Sequence, residues 1–250
     1  MTAPEIVAIA AAGVFAGIAN VIAGAGSLLT YPILVAVGLP PLAANVTNDL
    51  GVVPGNLSGV FGTRDLLRGQ QRLLWTVVPR ATAGALIGAG LLLTFPGGAF
   101  TSVAPPLLLT ASVLTLLQPA IARHVRNGSS ERTGLFHGAI EAIAVYGGYF
   151  GTGVGLVFMA ALGVFVDETA PRLNAVKTVL QLVANGLAGI VFAVTAPVHW
   201  AFAGVLAAGT LTGGKLGAIA SRQIPPAALR VTAASIGIAA SMWLLIERVT

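Results

Sequence analysis

From Glu5 onward the chain is a succession of ten apolar stretches broken only by glycine, proline or short polar loops: residues 5–23, 27–38, 41–62, 74–95, 98–118, 134–150, 153–166, 171–194, 198–220 and 227–247. A soluble domain does not accommodate this pattern. Such domains are about 25% charged, whereas only 8% of this chain is, and a mean hydropathy of +0.91 leaves most of the would-be surface apolar. About 20 apolar residues span a bilayer as an α-helix, so the sequence predicts an all-α polytopic membrane protein with 8–10 transmembrane segments. Segments 27–38 and 153–166 are short. Twelve residues reach about 18 Å against a hydrocarbon core of about 30 Å, which predicts broken or re-entrant helices there.

The few charges report on topology. Arg64, Arg68 and Arg72 form one basic loop, and Arg123, Arg126 and Arg132 lie in another, the linker 119–133. Two clear spans separate them, which places both loops on one side, the cytoplasm by the positive-inside rule. With ten crossings Arg172 and Arg222 join that side and both termini lie outside; with eight, the short segments are re-entrant and both termini lie inside. Charge counting does not separate the two. The first stretch, Ile6–Ala23, lacks a basic leader and is interrupted by Gly13, Gly17 and Asn20, so it reads as a span rather than a cleaved signal. Thirteen basic residues give a net charge of +5, too thinly spread for a nucleic-acid face, so the expected surroundings are lipid. With no cysteine and three scattered histidines, no metal or cofactor is expected. No P-loop, HExxH or nucleophile elbow is present, so the chain does not read as an enzyme. Oligomeric state is not readable.

An ungapped shift of 129 residues superimposes Gly24 on Gly153, Gly26 on Gly155, Val35 on Val164, Asn45 on Asn174 and Asn56 on Asn185, with Asn48 falling on Lys177. The matches concentrate on glycines and on polar residues inside apolar stretches. This predicts two pseudo-symmetric membrane repeats, 1–118 and 134–250, joined by the basic linker. Transporters are often built so, with the substrate between the repeats and glycine-interrupted segments in matching positions.

Two constellations carry candidate chemistry. One is the pair of glycine breaks, Gly24-Ala25-Gly26-Ser27 and Gly147–Gly155, each followed by a short apolar helix. A helix N-terminus suits an anion; glycines of this kind also serve close helix packing. The other is a polar stripe. Asn174, Lys177, Gln181 and Asn185 fall within an arc of about 80° on one helix, and Asn45, Asn48 and Asn56 repeat the spacing, with Asp49 beside them. Polar groups in hydrocarbon face a cavity or form interhelical bonds, and a lysine among them tips the stripe toward an anion. Asp49 is a candidate counter-charge. Arg80 either lines a pathway or reaches back to the basic loop, and His137 with Glu141, four residues apart, is a candidate proton relay or a buried neutral pair.

At Gly24–Pro32, Gly38, Asn45–Asn48, Gly147–Gly155, Asn174-Ala175-Val176-Lys177 and Asn185 the sequence resembles the sulfite exporter TauE/SafE family, over nearly the whole chain. It departs at Ser27, where a further glycine is common. The resemblance implies a permease for sulfite, organosulfonates or related small sulfur-containing anions in the cytoplasmic membrane, often working outward. The expected substrate site is Gly24, Gly26, Ser27, Asn45, Asn48, Gly153, Gly155, Asn174, Lys177, Gln181 and Asn185. An anion channel, an importer of a sulfur compound and a non-transporting membrane interaction subunit are the alternatives.

Overall fold

The computed structural model describes residues 2–95, 97–125, 133–220 and 226–246, and every regular element among them is an α-helix. In chain order these are α1 (Ala3–Ile22), α2 (Ser27–Ala36), α3 (Pro41–Gly62), α4 (Gln71–Thr94), α5 (Gly97–Val125), α6 (Thr133–Tyr149), α7 (Val154–Phe165), α8 (Ala170–Thr195), α9 (Trp200–Ala220) and α10 (Pro226–Ile246). Six of them, α1, α4, α5, α8, α9 and α10, are long and apolar enough to cross a membrane. Helix α3 has 22 residues but is diluted by the buried run Asn45–Asp49, α6 has 17, and α2 and α7 have 10 and 12.

The helices fall within a few residues of the apolar stretches, except that α5 continues past Pro119 to Val125 and takes Arg123 onto the helix. A proline forfeits one intrahelical bond, and the residues after it are ordinary helix formers. Arg126, Arg132 and Arg222 lie outside the described residues.

Helix directions resolve the side on which the chain ends lie. On α1 and α9, Gly13 meets Gly209 and Gly17 meets Gly213, so these helices run parallel. Helices α4 and α6 also run parallel, with Gly84 against Glu141 and Gly88 against Val145. On α5 and α10 the order reverses: Gly237 meets Ser112, and Ser241 Oγ donates to Pro105 O. The loop after α3 is tied to the loop before α8 by Gln70 Nε2 donating to Glu168 Oε1 at 2.7 Å, so both lie on one face. This arginine face carries Arg64, Arg68 and Arg172. The chain leaves it and returns through α4 and α5, and again through α6 and the 12-residue α7. Because α8 leaves that face, α9 and the parallel α1 run toward it, and α2 must carry the chain back before α3. The ten helices therefore alternate in direction, with α1 starting and α10 ending on the far face.

Each helix of the first five has the neighbours of the helix five places on. Thus α1·α9 answers to α6·α4, α3·α9 to α8·α4, α2·α3 to α7·α8 and α5·α7 to α10·α2, while α3·α8 and α5·α10 map onto themselves. Helices five apart run in opposite directions.

Lipid offers no hydrophobic drive between helices, so close backbone approach does that work. A Cβ built on Gly17 would stand 2.8 Å from Gly213 C, and one on Gly88 2.8 Å from Tyr149 N. We predict that Gly88→Val destabilises the detergent-solubilised protein by about 1–3 kcal/mol through overpacking. Gly90→Ala, two residues away and facing open space, stabilises by up to about 1 kcal/mol through helix propensity; thermal unfolding of the two variants checks both.

The interloop tie is also pH-sensitive. The Gln70 amide, followed by the Thr169 N–H and the Arg172 guanidinium at 3.2 Å, holds the Glu168 carboxyl below the ordinary carboxylate range. A lowered folded-state pKa stabilises above the unfolded value and is lost as pH falls through the folded one. Proteolytic nicking of loop 63–70 should therefore rise below about pH 4 in the parent and be raised, with little pH dependence over that range, in Glu168→Gln.

Candidate functional site

Helices α1 and α6 both stop inside the protein just before a glycine in the left-handed region, Gly24 at φ 79° and Gly151 at φ 68°, and a second such glycine, Gly153 at φ 77°, leads into α7. L-residues avoid this conformation and glycine does not. The two breaks touch. A Cβ on Gly24 would lie 2.7 Å from Gly155 C, and Gly153 N donates to Ser27 Oγ at 3.0 Å. Around this junction α3 and α8 pack their polar faces, so the two stripes and both breaks share one buried centre.

Toward the arginine face the centre is organised by Asn20. Its Oδ1 accepts from Gly26 N at 2.7 Å and from Gln181 Nε2 at 3.3 Å, and its Nδ2 donates to Asn56 Oδ1 at 3.3 Å. The Gly26 N–H fixes which end of the Asn20 amide is oxygen, and that choice propagates: Asn56 is left with a donor and Gln181 with an acceptor, both buried and unpaired among the described residues. Lys177, with no exposed surface, donates from Nζ to Asn20 O at 2.7 Å, and Asn174 Nδ2 donates to Val21 O at 2.8 Å. These carbonyls belong to the last turn of α1, the negative end of its dipole. Asn185 is buried on the same helix, its Oδ1 unpaired.

Toward the far face Asn45 repeats this role for the other break, donating from Nδ2 to Tyr149 O at 3.3 Å, in the last turn of α6. One turn along α3, Asp49 is fully buried with its carboxylate against Gly151. Asn48 accepts from Thr30 Oγ1 and leaves Nδ2 unpaired. A cavity of about 350 Å³ lies among Tyr31, Gly38, Pro40, Thr101, Pro105 and Trp243. All of these sit at the far-face ends of α2, α3, α5 and α10. Its floor is Tyr31, whose ring packs edge-on against Phe150, 5.3 Å away and next to the second break.

The profile of "Sulfite exporter TauE/SafE" matches residues 9–244, a span that takes in both breaks and both stripes. The chain belongs to the sulfite exporter TauE/SafE family, a family of membrane transporters. Among curated relatives, a "Probable membrane transporter protein" of Haemophilus influenzae is 26% identical over 208 residues, covering 82% of this chain and 81% of that one. A "Probable membrane transporter protein ORF9" of a Sinorhizobium species is also 26% identical, over 82% and 79% of the two chains. "Probable membrane transporter protein YfcA" of Escherichia coli K12 is 25% identical, over 81% and 75%. No solved structure matches the chain.

In this TauE/SafE chain Gly24, Gly26, Ser27, Asn45, Asn48, Gly153, Gly155, Asn174, Lys177, Gln181 and Asn185 all lie at the central junction, with Gly155 directly under the Gln181 amide. The helix N-termini differ from the expectation of open anion-binding ends: the Gly26 N–H is held by Asn20 and the Gly153 N–H by Ser27. Asp49 does not balance Lys177 by direct pairing, since the Lys177 ammonium bonds to Asn20 O and both Asp49 oxygens are unpaired among the described residues. Arg80 folds back onto Thr76 O of its own helix, toward the arginine face. His137, in the first turns of α6, and Glu141, at its middle, are half-buried with no hydrogen bond between them, and the His137 ring lies tilted against Phe136 at 5.8 Å. Asn20 was not anticipated as a site residue. Its only sequence signal is a lone amide four residues before the first break.

Asn20→Ala strands the Gly26 N–H and frees Asn56 and Gln181. At about 1–3 kcal/mol for a buried group left unpaired, the expected loss is of that order, and Asn20→Ala/Gln181→Ala should fall short of the sum of the single changes. A double-mutant cycle by thermal unfolding checks this.

Proposed function

We propose that this TauE/SafE transporter moves sulfite, an organosulfonate or a related small sulfur-containing anion across the cytoplasmic membrane, outward, and that the anion binds beside Lys177. The observation that carries this reading is the Lys177 ammonium, fully buried and held by one neutral carbonyl. A buried charge with so little compensation is costly, and a diffusible anion relieves it. The unpaired Nδ2 donors of Asn48 and Asn56 supply hydrogen bonds for sulfonate oxygens, with Asn174, Gln181 and Asn185 around them. The chemistry is binding, with no bond broken.

The halves 1–118 and 134–250 act as inverted repeats joined by linker 119–133. The five-place pairing pattern, the opposed directions and the left-handed glycine two residues past both α1 and α6, Gly24 and Gly151, support this. Alternating access then moves the interlocked group α1–α3–α9 against its counterpart α4–α6–α8 about the touching breaks. The arginine face is cytoplasmic by its charge, so the 350 Å³ cavity is the outer vestibule and the Tyr31–Phe150 contact its closure. An inside-negative potential favours anion export by about 2.3 kcal/mol per charge per 100 mV, which gives outward transport its driving force.

The test is efflux of radiolabelled sulfite and of a small organosulfonate from vesicles containing the purified protein. Loss of a charge-assisted hydrogen bond is worth about 1.5–3 kcal/mol, so Lys177→Gln should lower the flux by ten-fold or more. Lys215→Gln, at an exposed position, should leave it unchanged. Equal flux from parent and Lys177→Gln overturns the proposal.

A further inference from the structure

The two breaks are treated unequally by the helices that face them. At the end of α1 the terminal carbonyls meet an ammonium, Lys177 Nζ on Asn20 O. At the end of α6 the corresponding turn meets a carboxylate, because Asp49 lies against Gly151, two residues past the helix. A carboxylate at the negative end of a helix is repelled by the same partial charges that attract Lys177, and burial adds the desolvation cost of an ion. The backbone amides of the break offer no relief. Gly151 N donates to Tyr146 O, Thr152 N to Phe150 O, Gly153 N to Ser27 Oγ and Val154 N to Gly151 O. Both Asp49 oxygens have no hydrogen-bond partner among the described residues.

Asp49 does not stand alone in this respect. Asn45 Oδ1, one turn earlier on the same helix, and Thr152 Oγ1, next to Gly151 in the break, are also buried and unpaired. Asn45 cannot offer its amide end instead, since Nδ2 is held by Tyr149 O. The titratable and charged neighbours do not supply a cation. Lys177 on α8 donates to Asn20 O and not to Asp49, and the Tyr146 hydroxyl on α6 donates to Thr152 O. The second break thus holds four unpaired oxygens and one unit of negative charge, and the one donor among them is the Thr152 hydroxyl, a single hydrogen for several acceptors. A proton satisfies one carboxylate oxygen and leaves the others unmet. A divalent ion is over-charged for a single carboxylate, since calcium is held by several acidic or carbonyl ligands.

We propose that Asp49, Asn45 and Thr152 form a binding site for one monovalent alkali cation at the α6–α7 break, separate from the anion site at Lys177. The bound cation does for the end of α6 what Lys177 does for the end of α1. It also cancels Asp49, so that Lys177 is the charge a passing anion meets.

The test uses the detergent-purified protein with no sulfur anion present, so its failure is distinct from failure of the anion reading. Thermal unfolding is followed at constant ionic strength as choline chloride is replaced by NaCl or, separately, KCl. A ligand of the native state raises the midpoint saturably, and a shift of about 4 °C or more is expected for at least one of the two ions. The ion giving the larger shift identifies the physiological occupant. Asp49→Asn should unfold at a midpoint independent of either ion. Thr152→Ala, which keeps the charge, should remain folded and need several-fold more cation for the same shift. A parent midpoint indifferent to Na+ and K+ overturns the proposal, as does a cation response that persists in Asp49→Asn. Stabilisation by acid alone, with no cation response between pH 5 and 8, overturns it in favour of a protonated Asp49.

Discussion

A helix that ends inside a bilayer leaves carbonyls of its last turn without partners, in a medium that supplies none. Helices α1 and α6 both end this way, and the centre of the protein is arranged around meeting that demand. Asn174 and Lys177 reach across from α8 to Val21 O and Asn20 O, and Asn45 reaches from α3 to Tyr149 O. The polar stripes are thus first a structural necessity: without them neither helix can stop where it does. Function grows from what remains after these bonds are made, namely the ammonium, the carboxylate and the amide ends with no partner.

The close contact of the breaks imposes a second constraint. With Gly24 against Gly155 and Gly153 bonded to Ser27, neither break shifts without the other. Ser27 has a defined part here. Its hydroxyl accepts the Gly153 N–H, which a glycine at that position would leave unmet, so Ser27 serves the contact between the breaks. At α1–α9 and α4–α6 glycines admit backbone against backbone, which locks a helix of one half to a helix of the other.

Much of this was legible in the chain. Helix ends follow the apolar stretches because lipid punishes any exposed polar backbone, and the short α2 and α7 were marked by length alone. The likeness of Asn45 to Asn174, each donating to a carbonyl in the last turn of a broken helix, was readable because polar residues stand out in an apolar background. The direction of the passes was not: moving the loop at Arg172 across the membrane hardly alters the charge balance, and it took the bond from Gln70 to Glu168 to place it. Asn20 was hidden for a different reason. It is one amide in an alanine- and glycine-rich helix, and its partners lie 36, 157 and 161 residues away, so no local pattern announces it. The Gly26 and Gly153 amides looked free because sequence shows a helix start but not the side chain that caps it.

The 129-residue correspondence places Asn48 on Lys177 and Asp49 on Thr178, so the charges of the two half-sites are opposite where their scaffolds agree. A matched pair of lysines would hold an anion equally from both sides and give it no reason to leave. On the proposed route an anion leaving Lys177 for the vestibule passes the break that Asp49 faces, and like charges repel more strongly in a low-dielectric interior than in water. A bare Asp49 would therefore oppose exit, while a neutralised one would not. On that reading the opposite charges of the two half-sites let the centre hold an anion toward the arginine face and release it toward the other.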